Sequence, residues 1–168
     1  MPRRSSLIAF LGAGLSACGG LAQTPSFRPD VEATLGPPFA GPMAVAVGDF
    51  NGDGIPDLAA ADFEYRAGSL EMRRTAGMVV ALGTGDGSFP QHYSTALGAA
   101  TAAQIALADL DRDGKLDAVV ICADPNIAAV LKGKGDGTFE APVRIDLPAP
   151  GAAILATDLN GDGIPDLV

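Results

Sequence analysis

The sequence predicts an all-β chain assembled from repeated four-stranded units, and three observations carry that expectation. An acidic nine-residue loop occurs three times, at 49–57, 109–117 and 158–166. A Gly-x-Gly-Asp-Gly-x-Phe turn occurs twice, ending at Phe89 and Phe139. Short apolar runs bounded by turn residues fill the intervals, and none outside the N-terminus has a convincing helical period. Units of about 50 residues holding four short strands suggest the blades of a β-propeller.

Residues 1–22 are set apart from that fold. Arg3 and Arg4 make a basic start, an apolar run covers 7–15, and Leu15-Ser16-Ala17-Cys18 reads as a bacterial lipobox. The run is too short to span a bilayer as a permanent helix. The expectation is a lipoprotein-type signal peptide, with Cys18 lipidated as the new N-terminus. Ordinary cleavage after Ala22, with Gly20 at the minus-three position, is the other reading. Either way the chain is exported, to the cell envelope or the medium, and a lipid anchor is the one expected membrane attachment.

The only other cysteine, Cys122, lies in the apolar run 118–123 and is expected to be a small buried hydrophobe. With Cys18 removed or acylated no intrachain disulfide is available, so an exported chain must be stapled otherwise, and metal is the candidate. Setting aside Arg3 and Arg4 leaves 9 basic against 20 acidic residues, a net charge of −11. Nucleic-acid binding is thereby disfavoured. Ten of the 20 acids sit in the three loops, so the acidity is concentrated rather than spread as a solubilising surface.

The repeat domain is expected over 23–168, with repeats starting near 44, 103 and 152. Strands are expected at 44–47, 58–62, 78–82, 105–109, 118–123, 128–132 and 152–157. Asp86-Gly87 and Asp136-Gly137 are hairpin-turn dipeptides. Leu82 and Leu131 each stand 27 residues before the next acidic loop, which pairs the two leucines in the repeat. The first two loops are 60 residues apart and the last two 49, so an 11-residue excess falls in the polar stretch 64–75, read as a surface-loop insertion. Segment 27–35 is expected to be the outer strand of an earlier blade.

Each acidic loop carries oxygen-bearing side chains at positions 1, 3, 5 and 9 and glycine at 6. Folding at that glycine gathers four side chains and the position-7 carbonyl about one point, a hard-oxygen set that suits Ca²⁺. A mere turn would not need convergent acids in every copy: carboxylates about 4 Å apart repel by about 4 kcal/mol at an effective dielectric near 20. EF-hand and dockerin loops share part of the pattern but need an acid at position 12, here Ala60 or Val120, and helical flanks. The Gly85-Asp86-Gly87 and Gly135-Asp136-Gly137 turns lack the Gly-Lys-Ser/Thr of a phosphate loop. His92, the sole histidine, falls in an expected outer strand, and Arg66, Arg73 and Arg74 are solvated charges of the insertion. No nucleophile–base constellation can be assembled, so the chain is read as non-enzymatic.

Val47-Gly48-Asp49-Phe50-Asn51-Gly52-Asp53-Gly54-Ile55-Pro56-Asp57-Leu58-Ala59, followed by Gly-x-Gly-Asp-Gly-x-Phe, closely resembles the FG-GAP/VCBS repeats of integrin-α-like β-propellers. The resemblance covers 27–168. It implies Ca²⁺ between the first two strands of each blade. The implied ligands are Asp49, Asn51, Asp53, the Ile55 carbonyl and Asp57; Asp109, Asp111, Asp113, the Lys115 carbonyl and Asp117; and Asp158, Asn160, Asp162, the Ile164 carbonyl and Asp166. It also implies a surface binding or adhesion scaffold for a protein or glycan ligand. The alternative is the non-catalytic portion of an extracellular hydrolase or lyase. A closed propeller needs about four to eight blades, and this sequence holds two plus parts of two more. A fragment of a larger propeller is therefore expected, with open blade faces through which the chain can self-associate.

Overall fold

The computed structural model describes residues 7–8, 32–33, 43–65 and 74–168. Among these residues all regular structure is strand and no helix occurs. Leu7–Ile8 (β1) pairs antiparallel with Glu32–Ala33 (β2), the only described part of the outer strand expected over 27–35. Two antiparallel meanders follow. The first comprises Ala44–Gly48 (β3), Asp57–Tyr65 (β4), Arg74–Leu82 (β5) and Gln91–Ala96 (β6). The second comprises Thr101–Ala108 (β7), Asp117–Ala123 (β8), Ile127–Leu131 (β9) and Val143–Asp146 (β10). Ala156–Thr157 (β11) and Asp166–Leu167 (β12) form a hairpin that repeats the first half of a meander. Each four-stranded sheet is open and keeps chain order from edge to edge.

Position in the sheet explains each strand's composition. β8 reads Asp-Ala-Val-Val-Ile-Cys-Ala and is buried on both faces, as a central strand between packed layers must be. The edge strands β6 and β10 are polar or charged at alternate positions and exposed, except for the half-buried Thr95, which discourages a foreign strand from pairing there. β7 alternates and carries a bulge where Ala103 has no partner between the Ala102–Cys122 and Gln104–Ile121 pairs.

The two sheets pack face to face. Ala59, Ala61, Met78 and Val80 of the first meet Ala118, Val120, Cys122, Ala129 and Leu131 of the second in one buried cluster. Many of these residues are alanine, so the backbones approach closely, and larger side chains such as Met78, Ile127 and Leu131 fill the remaining space. Fully burying a valine- or leucine-sized side chain contributes about 1.5–3 kcal/mol, and this seam is the largest of the clusters. The opposite face of the first sheet carries Leu58, Ala60 and Ala81. That of the second carries Val119, Ile121 and Ala128, on which Leu110 and Ile154 pack. The first strands stand in series, β7 against β3 and β11 against β7, as the inner strands of successive blades do.

Three expectations are corrected. Residues 64–75 are not wholly a loop: Glu64 pairs with Thr75 and Tyr65 with Arg74, extending the β4–β5 hairpin, while 66–73 lie outside the described residues. The strand expected over 152–157 is reduced to Ala156–Thr157, because pairing with β12 continues only to the Leu155–Val168 bonds at 2.9 and 3.0 Å. Leu82 and Leu131 are not equivalent. Leu58 pairs with Ala81 while Ala118 pairs with Leu131, so Ala81 matches Leu131 and Leu82 matches Lys132.

Candidate metal centre

Each acidic loop joins the first and second strands of a meander, leaving β3, β7 or β11 and entering β4, β8 or β12. The position-1 aspartate organises the turn. Asp49 accepts the amides of Gly52 at 2.7 Å, Asp53 at 3.2 Å and Gly54 at 2.8 Å. Asp109 accepts Asp113 and Gly114 at 3.1 and 2.9 Å, and Asp158 accepts Gly161 and Gly163, each at 2.7 Å. The Gly54 and Gly163 amides are the main influence holding Asp49 and Asp158 below the ordinary carboxylate range. Position 5 closes the turn, Asp53, Asp113 and Asp162 accepting the position-7 amides at 2.8, 2.9 and 2.7 Å.

Position 9 does something the sequence did not disclose. Asp57 and Asp117 are each 1% exposed, the buried charged residues of the described core. Asp57 accepts Phe50 N–H and Gly83 N–H, both at 2.8 Å. Asp117 accepts Leu110 N–H at 2.9 Å and Gly133 N–H at 2.8 Å. Asp166 makes the corresponding bond to Leu159 at 3.0 Å. Position 9 thus ties the loop's start to the exit of the third strand. Burial pushes Asp57 upward against these two amide bonds. Each carboxylate oxygen accepts two bonds, so capacity for a cation remains.

The second loop departs from the other two. Oxygens of Asp109, Asp111 and Asp117 all lie within 4.8 Å of one another, a cluster able to hold a hard cation. Asp111 replaces the neutral Asn51 and Asn160, whose Nδ2 groups donate to Asp53 at 2.8 Å and Asp162 at 3.0 Å. Asp113 is instead held by Lys115 Nζ at 2.8 Å, and Lys132 Nζ is paired with Asp111. At position 4, Arg112 stands at φ 63° where the other loops have Gly52 and Gly161. Its guanidinium crosses to the third loop, Nη2 donating to the Asp162 carbonyl at 2.6 Å and Nε to the Gly163 carbonyl at 3.1 Å.

Position 2 was also missed. Phe50 is buried in the inter-sheet cluster, meets Phe139 edge-on with centroids 5.9 Å apart, and accepts Gly137 N–H at 3.1 Å. The signal was present: all three loops carry an apolar residue there, Phe50, Leu110 and Leu159. The Gly-Asp-Gly turns are hairpin links as expected, Asp86 and Asp136 each accepting an amide two residues on at 2.9 Å.

Two family models match. The FG-GAP repeat matches 41–70, covering the first loop and its flanking strands. The FG-GAP-like repeat matches 118–168, from β8 through the third loop. Over these two stretches the chain is similar to FG-GAP repeats, and its open four-stranded sheets are consistent with FG-GAP propeller blades. No curated protein sequence matches this one.

Proposed function

We propose that this FG-GAP repeat chain is an exported calcium-binding module acting as a surface binding scaffold without catalytic activity. The observation that carries the reading is the convergence of Asp109, Asp111 and Asp117 within 4.8 Å in a loop present three times. The donors are carboxylate, amide and carbonyl oxygens, which suit Ca²⁺. In the first loop Asp49, Asn51, Asp53, Asp57 and the Ile55 carbonyl hold the ion. In the second, Asp109, Asp111, Asp113, Asp117 and the Lys115 carbonyl do so, and in the third Asp158, Asn160, Asp162, Asp166 and the Ile164 carbonyl. The ion's role is structural: it offsets repulsion among neighbouring acids and ties two strands of a blade together.

Export rests on the basic start, the short apolar run and the lipobox ending at Cys18. A non-catalytic role is supported by Cys122, buried with its thiol pushed up to about 11, and by the engagement of Asp57 and Asp117 with backbone amides. The partner is a protein or glycan rather than nucleic acid, given the net charge of −9.

The calcium reading is tested by melting the full chain with millimolar calcium and with chelator, followed by circular dichroism. At a hundredfold excess over Kd each site adds about 2.7 kcal/mol, so calcium should raise the midpoint by several degrees. Identical melting in both conditions would reject it.

The same module has a route to self-association. Inside the molecule, the Ala59 face of the first sheet packs on the Ala118 face of the second. The outward faces are the reciprocal pair, with Val45 and Val47 exposed at 43% and 51% and Val143 and Ile145 at 60% and 48%. A second copy can dock head-to-tail by repeating the internal seam. Sedimentation should show mass rising with concentration, and Val47→Lys should restore the monomer; one constant monomer mass would exclude such docking.

A further inference from the structure

We propose that Lys132 is a built-in counter-ion of the second loop and sets that loop's calcium affinity below that of the first. This rests on the calcium reading above and goes beyond it, because that reading treats the three loops alike.

The loops differ in charge. The first and third each carry three acids and no base. The second carries Asp109, Asp111, Asp113 and Asp117 with Lys115, and Lys132 reaches it from the end of β9, whereas the Arg112 guanidinium lies on the carbonyls of the third loop. An ammonium seated on the Asp111 carboxylate is itself a cation on the convergent cluster. It comes from outside the loop, at the position filled by Leu82 in the first sheet. Leu82 points into the inter-sheet core, whereas Lys132 lies exposed beside the acids. A divalent ion entering the second loop must displace or share that ammonium, and it meets fewer uncompensated negative charges than in the first loop. Like charges a few ångströms apart oppose the ion, while an exposed lysine pair is weak enough to be displaced. The second site is therefore weakened, yet still able to fill.

The position-6 glycines report each loop separately. The Gly54, Gly114 and Gly163 amides donate to the position-1 carboxylates at 2.8, 2.9 and 2.7 Å, so their chemical shifts follow occupancy. The test is a calcium titration of the full chain by amide NMR, for wild type, Lys132→Met and Lys132→Arg. In wild type, Gly54 should move at lower calcium than Gly114. Lys132→Met should lower the Gly114 midpoint by roughly three- to tenfold and leave the other two in place, while Lys132→Arg should keep all three near wild type. If Gly54 and Gly163 titrate but Lys132→Met leaves the Gly114 midpoint where it was, the inference is overturned and the calcium reading stands. If none of the three glycines responds, the calcium reading falls, and the inference with it.

Discussion

Gly133 donates its backbone amide to Asp117 Oδ1 at 2.8 Å, joining the end of β9 to the residue that opens β8. Gly83 and Asp57 repeat the relationship in the first sheet at 2.8 Å. The bond requires close backbone approach. A Cβ on Gly133 would stand 2.2 Å from the Leu116 carbonyl oxygen, and one on Gly83 would stand 2.3 Å from that of Pro56.

Gly133→Ala should therefore destabilise the fold by about 3 kcal/mol, at the upper end of overpacking costs, since the obstacle is backbone rather than a flexible side chain. Urea unfolding reads this directly. A loss below about 0.5 kcal/mol would show that the two strands separate without consequence.

Asp117→Asn keeps the shape of the side chain but replaces one acceptor oxygen with a donor. Either the Leu110 or the Gly133 amide then faces an NH₂ group in the core. The expected cost is about 2 kcal/mol in chelator, where no ion contributes. A near-neutral outcome by thermal melting would mean that one of these amides has another partner.

Arg112→Gly separates strain from contact. The substitution relieves the left-handed backbone by about 1 kcal/mol and installs the residue type that the first and third loops already use. It also removes both bonds to the Asp162 and Gly163 carbonyls. Global stability should change little, while hydrogen exchange at the third-loop amides, Gly163 and Ile164 among them, should quicken. Unchanged exchange there would show that Arg112 does not brace the neighbouring loop.

Asp86 is held at about 2, chiefly by the Ser88 and then the Thr84 hydroxyls. A carboxylate depressed from 3.8 stabilises the folded chain above about pH 3.8 and loses that contribution as pH falls toward 2. Asp49 and Asp158 act in the same direction. Asp57 acts oppositely: its raised value means that its ionisation disfavours the fold as pH rises through that value. Carbon-detected NMR titration should find Asp86 still ionised at pH 3, and Ser88→Ala should move its midpoint back toward 3.8.

Local pattern made the loops, the central strands and the Gly-Asp-Gly hairpins legible. The nine-residue spacing places position 1 beside the amides of positions 4, 5 and 6, and β8 is apolar enough to announce burial on both faces. What stayed hidden depends on partners distant in the chain. Asp57 reads as one more loop oxygen until Gly83, 26 residues later, is seen beside it. Leu82 and Leu131 share a distance to the next loop, but pairing with β4 and β8 aligns the chain by its glycines and makes Lys132 the counterpart of Leu82 in the second sheet. The bonds from Arg112 span 50 and 51 residues, and no periodicity encodes them.

Because every acidic loop joins the first strand of a meander to its second, the loops stand in a row along one edge. Gly48 beside the first loop approaches Leu116 of the second, and Arg112 of the second reaches the third. The edge thus concentrates negative charge that would otherwise be dispersed over the surface. At about 0.1 M salt its field reaches about 10 Å into solvent, far enough to turn an approaching cation or basic partner toward this edge before contact, and to repel a polyanion from it. The row gives the molecule an electrostatic heading: what it meets in solution is sorted by charge first and by shape only afterwards.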